Sequence, residues 1–354
     1  MKHTTIFTDA LTGLLPDEIA ERLGLPAMRG KQIFQWIHQK KIFELDEMTN
    51  LPESLRASID EQAAVSSLSE VTHQYSEQSG TVKALFSLKG GDAIESVLLR
   101  HGDRVTCCLS TQVGCALGCS FCATGQAGFR RNLSPAEIVE QALFLCQEAG
   151  LSQNVTPNIV FMGMGEPFQN YDALIKSIDI LMHPLGLHIG ARKIAVSTVG
   201  DVKGILKFAE ELWQVRLSVS LHAATDALRD QLIPINKRYP LKKLHKALCE
   251  YQRKRGRQIT IEYILLNEVN DAPEQAVELA GFLQGLDAMV NIIPWNEVAG
   301  LPFSPSPSHR VAAFVTALNT KGVKATVRKE RGSDIDAACG QLRALRQLSS
   351  DGEE

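Results

Sequence analysis

Three cysteines, Cys115, Cys119 and Cys122, stand at Cys-x3-Cys-x2-Cys spacing, with Phe121 immediately before the third. A short loop carrying Gly114 and Gly118 can curl so that three sulfurs converge on one centre. Thiolates are soft ligands that suit iron–sulfur clusters, zinc or copper(I). A closed four-ligand site needs a fourth cysteine or histidine nearby, and the next one, Cys146, lies in a predicted helix. Three protein ligands leave one position open, as catalytic metal sites do. At this point a structural zinc knuckle stands as the alternative to an iron–sulfur cluster with one open iron.

Other residues of chemical interest fall where apolar strand patterns end. The pattern at 157–162 runs into Gly163-Met164-Gly165-Glu166-Pro167, whose glycines let the backbone approach a ligand and whose Glu166 can accept from an ammonium group. Patterns at 192–198, 215–221 and 289–294 end in Ser197-Thr198, Ser218-Val219-Ser220-Leu221-His222 and Pro294-Trp295-Asn296. Small hydroxyls and an amide at strand ends suit ribose, carboxylate and adenine edges. A lone cysteine such as Cys339, between Ala338 and Gly340, is ordinarily a small buried hydrophobe. Cys107 and Cys108 are adjacent in a strand pattern, so they face opposite sides and only one can face a common site.

These positions need a scaffold. From Arg104 onward, β-branched strands at 104–110, 157–162, 192–198, 215–221, 258–266, 289–294 and 323–328 alternate with helical patterns at 134–149, 172–182, 201–212, 240–254, 273–285 and 308–320. Ser134-Pro135-Ala136-Glu137 is a capping box with proline at the first helical position. Such alternation predicts a parallel sheet of βα units, and periodicity alone does not separate an open sheet from a barrel. Functional residues of a barrel gather at the C-terminal ends of its strands. Residues 1 to about 90 read as a separate helical module, with helical spacing at 9–25 and 29–41 and a helix opened by Leu51-Pro52. Strands at 81–88 and 93–100 around Gly90-Gly91 predict a hairpin joining that module to the core.

Composition sets outer bounds. The chain has 354 residues, 44% hydrophobic and 22% charged, enough for a sizeable core. Without an apolar leader pattern or an 18-residue apolar window, the expectation is a cytoplasmic protein with no membrane association, and the eight cysteines read as reduced, metal-binding or catalytic. The net charge of −3 argues against indiscriminate polyanion binding. Locally, nine Lys or Arg against the single acid Glu250 lie between Lys237 and Arg257, and Arg328, Lys329 and Arg331 form a second basic group. The first run, including Arg253, Lys254 and Arg255, is a candidate RNA-docking surface, and a solvated helix face is the plainer reading.

The cysteine loop resembles the radical S-adenosylmethionine (radical SAM) family, whose signature is Cys-x3-Cys-x-aromatic-Cys. Gly30-Lys31-Gln32-Ile33-Phe34-Gln35-Trp36-Ile37, and the run Asp334-Ile335-Asp336-Ala337-Ala338-Cys339-Gly340-Gln341-Leu342, resemble the RlmN/Cfr RNA methyltransferases, with Ile293-Pro294-Trp295-Asn296 and Arg328-Lys329 nearer to RlmN. The resemblance implies a partial (β/α)6 barrel at 101–330, the accessory module at 1–90 with a hairpin to about 100, and a C-terminal segment at 331–354, with a disordered tail after about Leu348. It implies a [4Fe-4S] cluster on Cys115, Cys119 and Cys122, and SAM contacts from Gly165, Glu166, Ser197, Ser220, Leu221, His222 and Asn296. It further implies that Cys339 carries a methyl group, that Cys108 later attacks it, and that Glu95 takes the ring proton. Two SAM molecules would be consumed per turnover. The implied partners are 23S rRNA, tRNA as a further substrate, and an electron donor such as flavodoxin or ferredoxin acting on a monomer.

Overall fold

The computed structural model describes residues 10–151, 155–328 and 332–342, with only the backbone given for 69–71. Lys329, Arg331 and the tail expected to be disordered lie outside the described residues. The N-terminal module consists of α1 (Pro16–Arg22), α2 (Ala27–Phe34) and α3 (Glu53–Gln62). Pro16 starts α1 and Pro52 precedes α3, positions where a missing N–H is harmless. Buried Leu11, Ile19, Ile33, Phe34, Ile37 and Met48 hold the helices together.

Three antiparallel strands follow: β1 (Leu68–Tyr75), β2 (Val82–Leu88) and β3 (Ala93–His101). The β2–β3 hairpin occurs where Gly90-Gly91 predicts it, with both glycines at positive φ. β1 was not expected, and the three strands do not form a separate hairpin. They continue into β4 (Arg104–Cys108) and so extend one ten-stranded sheet.

Beyond β4 the chain first makes a two-stranded ribbon, β5 (Gln112–Gly114) and β6 (Phe129–Asn132), enclosing the cysteine loop and the short α4 (Ala123–Gln126). It then winds through α5 (Pro135–Glu148), β7 (Asn158–Phe161), α6 (Tyr171–Met182), β8 (Ile194–Thr198), α7 (Val202–Phe208), β9 (Arg216–Ser220), α8 (Asp226–Leu232), α9 (Leu241–Arg255), β10 (Ile259–Leu265), α10 (Pro273–Phe282), β11 (Ala288–Pro294), α11 (Ser308–Thr320) and β12 (Ala325–Val327). β4 and β7 to β12 pair in parallel, in chain order, giving six βα units and a closing strand. β1 and β12 are the free edges of the sheet, so the barrel is partial. Each right-handed βα step returns the next strand at the same end, which puts every strand's C-terminus on one rim. Among the described residues no helix is long and apolar enough to cross a membrane.

The module and the barrel meet at one buried acid. Glu140 of α5 is fully buried and accepts from Ser66 Oγ (2.8 Å), the Ser67 and Leu68 amides (2.8 and 2.9 Å), Ser67 Oγ (3.0 Å) and the Thr12 hydroxyl. Removing the carboxylate strands several buried donors, each worth about 1–3 kcal/mol. Glu140→Ala is therefore expected to destabilise the chain by at least about 3 kcal/mol and to open the 62–68 junction first, as read by the urea midpoint and limited proteolysis.

Candidate active site

The cysteine loop closes over the barrel rim between two anchors. On one side the Ser120 amide donates to Leu232 O at the end of α8 (3.0 Å) and the Trp295 indole donates to Phe121 O (3.2 Å). On the other, the Ala123 amide donates to Gly340 O (2.8 Å) and the Thr124 hydroxyl donates to Leu342 O (2.5 Å). The C-terminal segment is thus docked directly on the cysteine loop, and Gln341 secures it further by donating to Glu297 O (2.9 Å).

Cys115, Cys119 and Cys122 line one cavity together with Gly165, Glu166, Ser197, Ser220 and His222. Burial pushes the Cys115 thiol up to about 12, and Cys119 and Cys122 upward as well. The Leu117 and Glu166 backbones reach the Cys115 sulfur, and the Thr124 and Gly125 backbones reach that of Cys122. Hydrogen bonds to the sulfurs are a feature of iron–sulfur ligation. Among the described residues no three His, Cys, Asp or Glu side chains approach closely enough to hold a single metal ion. Three thiols on one cavity wall suit a cluster with one iron left open. Cys146 is not a fourth ligand: it lies on α5 beside Cys107, on the far side of the sheet.

The expected ligand contacts separate into three groups. Gly165 (φ +101°), Glu166, Ser197, Ser220 and His222 stand on the cavity wall, with the hydroxyls of Ser197 and Ser220 3.4 Å apart. A Cβ on Gly165 would lie 2.9 Å from the Gln112 amide nitrogen, so glycine there is a spatial requirement. Glu166 accepts from the Val199 and Phe168 amides (3.0 and 3.2 Å), and burial pushes its carboxyl up to about 7. His222 accepts at Nδ1 from the Ile264 amide (3.0 Å), which leaves Nε2 to carry the proton; burial and then Arg229 lower its pKa to about 3, so the ring stays neutral.

Leu221 does not belong with them. Its side chain is buried in the core, its N–H donates to Glu262 O, and its C=O accepts from Arg229 (3.1 Å), so both backbone groups are committed within the protein. Alternation along β9 carries Ser220 inward and the next side chain outward. Asn296 falls in a third position, on the wall of an adjoining chamber.

That chamber is lined by Val97, Leu99, Cys108, Asn296, Arg328 and the 337–340 segment, and Cys339 stands on the wall common to both cavities. The β4 register resolves the cysteine pair: Cys108 faces the chamber, and Cys107 is fully buried against Cys146. Burial and neighbouring Cys339 push the Cys108 thiol up to about 12, while Arg328 pulls the other way. Glu95 is not drawn into the chamber wall. It lies on β3 in step with Val97 and Leu99 but pairs with Lys83 at 3.3 Å, and Lys83 also reaches Asp336 O (3.5 Å).

Sequence reasoning gave no role at the site to a residue that contacts Cys339. Arg328, read as part of a basic group and of the resemblance, is half-buried with its Nη1 3.2 Å from Cys339 Sγ. Glu262 supplies a compensating buried charge on the same wall and accepts from Asn291 (2.6 Å). A signal was present in the apolar strand Ile259-Thr260-Ile261-Glu262-Tyr263-Ile264-Leu265: one acid among buried apolar neighbours marks a functional or paired charge.

Known proteins agree with this geometry over nearly the whole chain. Residues 109–280 match the radical SAM superfamily, and residues 17–65 match the ribosomal RNA large subunit methyltransferase N-terminal domain. A probable dual-specificity RNA methyltransferase RlmN from Thermotoga neapolitana is 46% identical over 93% of this chain and 94% of its own. The protein of the same description from Heliobacterium modesticaldum is 46% identical over 94% and 89%. The crystal structure of a radical SAM methyltransferase from Sphaerobacter thermophilus superposes with a TM-score of 0.92 at 45% identity, covering 95% of this chain and 99% of that one. With a thiol triad suited to a cluster, a cavity with polar groups beside it, and kinship at this level over nearly the whole chain, the chain belongs to the RlmN family of radical SAM RNA methyltransferases.

Proposed function

We propose that this enzyme methylates C2 of an adenosine in 23S rRNA, and the equivalent base of a tRNA anticodon loop, through a methylated Cys339 and a transient Cys108–Cys339 disulfide. The observation that carries the reading is the meeting of Cys339, Cys108 and the Arg328 guanidinium at one chamber beside the cluster cavity. Adenine C2 is an electron-poor carbon and does not attack an electrophilic methyl group, so a carbon radical must be delivered to it. When bound, the cluster and SAM supply the methyl group and, from a second SAM, the radical that activates it.

The residues of the chain do the rest. Cys339 thiolate accepts the methyl group, forming S–C as the sulfonium S–C bond breaks; thiolate is the competent nucleophile. The S-methyl group, having given up one hydrogen atom to the radical, joins the ring through its carbon; the ring hydrogen leaves as a proton and the one remaining electron would return to the cofactor. Glu95 is the proposed acceptor of the ring proton, with Lys83, 3.3 Å away, orienting the carboxylate. Cys108 attacks the Cys339 sulfur; the S–C electron pair passes to the departing carbon, which takes a proton, and the disulfide is reopened by two-electron reduction. Glu166 offers carboxylate oxygens to the SAM ammonium, whose positive charge would favour the ionised form that burial disfavours, and neutral His222 with Ser197 and Ser220 offers groups for its nucleoside half. In this reading the protein works in the cytoplasm as a monomer reduced by flavodoxin or ferredoxin. The substrate base is unstacked, since only an extruded nucleotide reaches a barrel interior.

Mass spectrometry of nucleosides from RNA treated with the reconstituted enzyme tests the reading: 2-methyladenosine is expected, and 8-methyladenosine or no methylated base overturns it. Arg328 gives an independent check. Losing a hydrogen bond to a charged group costs about 1.5–3 kcal/mol, or roughly ten- to hundredfold. Arg328→Met is expected to slow SAM-dependent methylation of Cys339 by that factor, read on the intact protein, with Arg328→Lys recovering part of it.

A further inference from the structure

The basic run between Lys237 and Arg257 is not one surface. The chain leaves β9 at the cavity rim, passes through α8 and the turn Pro234–Lys237, and descends along α9 to the start of β10 at the opposite end of the barrel. α9 has 15 residues and so spans about 22 Å. Lys237, Arg238, Lys242 and Lys243 therefore sit near the mouth, and Arg253, Lys254, Arg255 and Arg257 at the base.

The two ends differ in what their cations do. At the base, Arg253 pairs with Glu250 (2.7 Å) and Lys254 with Glu210, while Arg255 and Arg257 donate to Trp213 O and Gln214. These side chains fasten the end of α9, and three of them lie in its last turn, where cations complement the helix dipole. At the mouth, Lys237, Arg238, Lys242 and Lys243 are exposed, and none has a carboxylate within ion-pair distance among the described residues. The nearest acids, Asp226 and Asp230, are turned to Asn236 (2.9 and 2.7 Å), and Asp226 also accepts from the Leu241 amide (2.8 Å). The segment that bears these cations is the one that braces the cluster loop. Leu232, Ile233, Ile235 and Tyr239 pack with Leu117, Cys119 and Phe121 in one apolar cluster.

We propose that Lys237, Arg238, Lys242 and Lys243 form a phosphate-contacting rim that holds the RNA substrate over the cavity, and that the base-end cations take no part. This rests on the RNA methyltransferase reading and adds where the polyanion docks. Unpaired cations at the mouth match phosphates without reading bases, so they set position and not sequence. The structure thereby replaces the expectation that Arg253, Lys254 and Arg255 dock RNA.

The test uses the reconstituted full-length enzyme and a fluorescein-labelled RNA stem–loop with an unpaired adenosine, followed by anisotropy between 50 and 200 mM salt, about the range over which phosphate contacts are read. Changing the four mouth cations to Gln should weaken binding tenfold or more. It should also flatten the log–log salt slope by about 3–3.5, at roughly 0.7–0.9 per lost phosphate contact. Arg253→Gln/Lys254→Gln/Arg255→Gln should leave both unchanged, with iron content and melting temperature checking that each variant is intact. Equal losses in the two variants, a loss confined to the base-end variant, or no loss in either overturns the proposal. So does a mouth variant that binds RNA normally but can no longer be reduced by a protein donor while dithionite still serves, since the rim would then be the reductant's. Failure of the unsubstituted enzyme to bind the RNA or methylate its adenosine would instead overturn the parent reading.

Discussion

Cys108→Ala is expected to turn the enzyme into its own trap: RNA accumulates in covalent linkage to Cys339, with less than one product released per chain. The reason is the order of events. The carbon–carbon bond forms while the transferred carbon is still bonded to the Cys339 sulfur, and only attack on that sulfur frees it. Cys108 is the thiol that shares a chamber with Cys339. Cys107 is fully buried, its sulfur beside Cys146 across the sheet, so Cys107→Ala should turn over normally. Cys339→Ala should give neither methylated RNA nor methylated protein. Denaturing gels with labelled RNA and mass spectrometry of the Cys339 peptide distinguish these cases. A trapped adduct in Cys107→Ala with free turnover in Cys108→Ala would reverse the assignment of strand faces, and no adduct in either or in the double variant would sink the methyl-cysteine route.

The barrel was legible in the sequence because parallel strands buried on both faces leave continuous apolar runs, and each predicted run falls on an observed strand. What was not legible was the sheet's extension. β1 carries Ser69, Glu70, Thr72, His73 and Gln74, a polar sequence that pairs because β2 offers it a ladder and not because its own pattern demands one. Edge strands take their structure from a neighbour, so periodicity misses them.

The site divides in the same way. Residues recognisable by chemical type at a strand end, such as Glu166, Ser197, Ser220 and His222, stand on the cavity wall. Leu221 lies off the cavity wall, because proximity in sequence to Ser220 and His222 is not proximity in space when side chains alternate. Arg328 was underread for another reason: a cation next to a lysine looks like surface charge until the fold sets it, half-buried, against Cys339. Its partner lies eleven residues further on, across a segment that only tertiary packing folds back. The split of the α9 run has the same origin, since a helix running from rim to base assigns opposite ends of one charge cluster to different faces.

Replacing Cys115, Cys119 or Cys122 by Ala should each abolish the brown chromophore and all SAM cleavage, although the three thiols live in different surroundings. Cys119 is deeply buried, whereas Cys115 and Cys122 are partly exposed and receive backbone hydrogen bonds. Were the thiols independent anchors, the loss of a partly exposed one would be milder. They are not independent: the fourth cysteine on the cavity wall, Cys339, stands where the two cavities adjoin and is engaged by Arg328, and one open iron is the position the cosubstrate must take. A second vacancy removes a ligand the cluster needs. It also acts at a distance: α4, which begins immediately after Cys122, holds the Cys339 segment through Ala123 to Gly340 and Thr124 to Leu342. Each variant is thus expected to lose cluster and cleavage together and to expose Cys339 to alkylation more than the intact enzyme does. Iron and sulfide analysis, 5′-deoxyadenosine release and the alkylation rate of Cys339 give three separate readouts. A four-iron cluster with turnover in any one of the three variants would falsify the assignment of the triad.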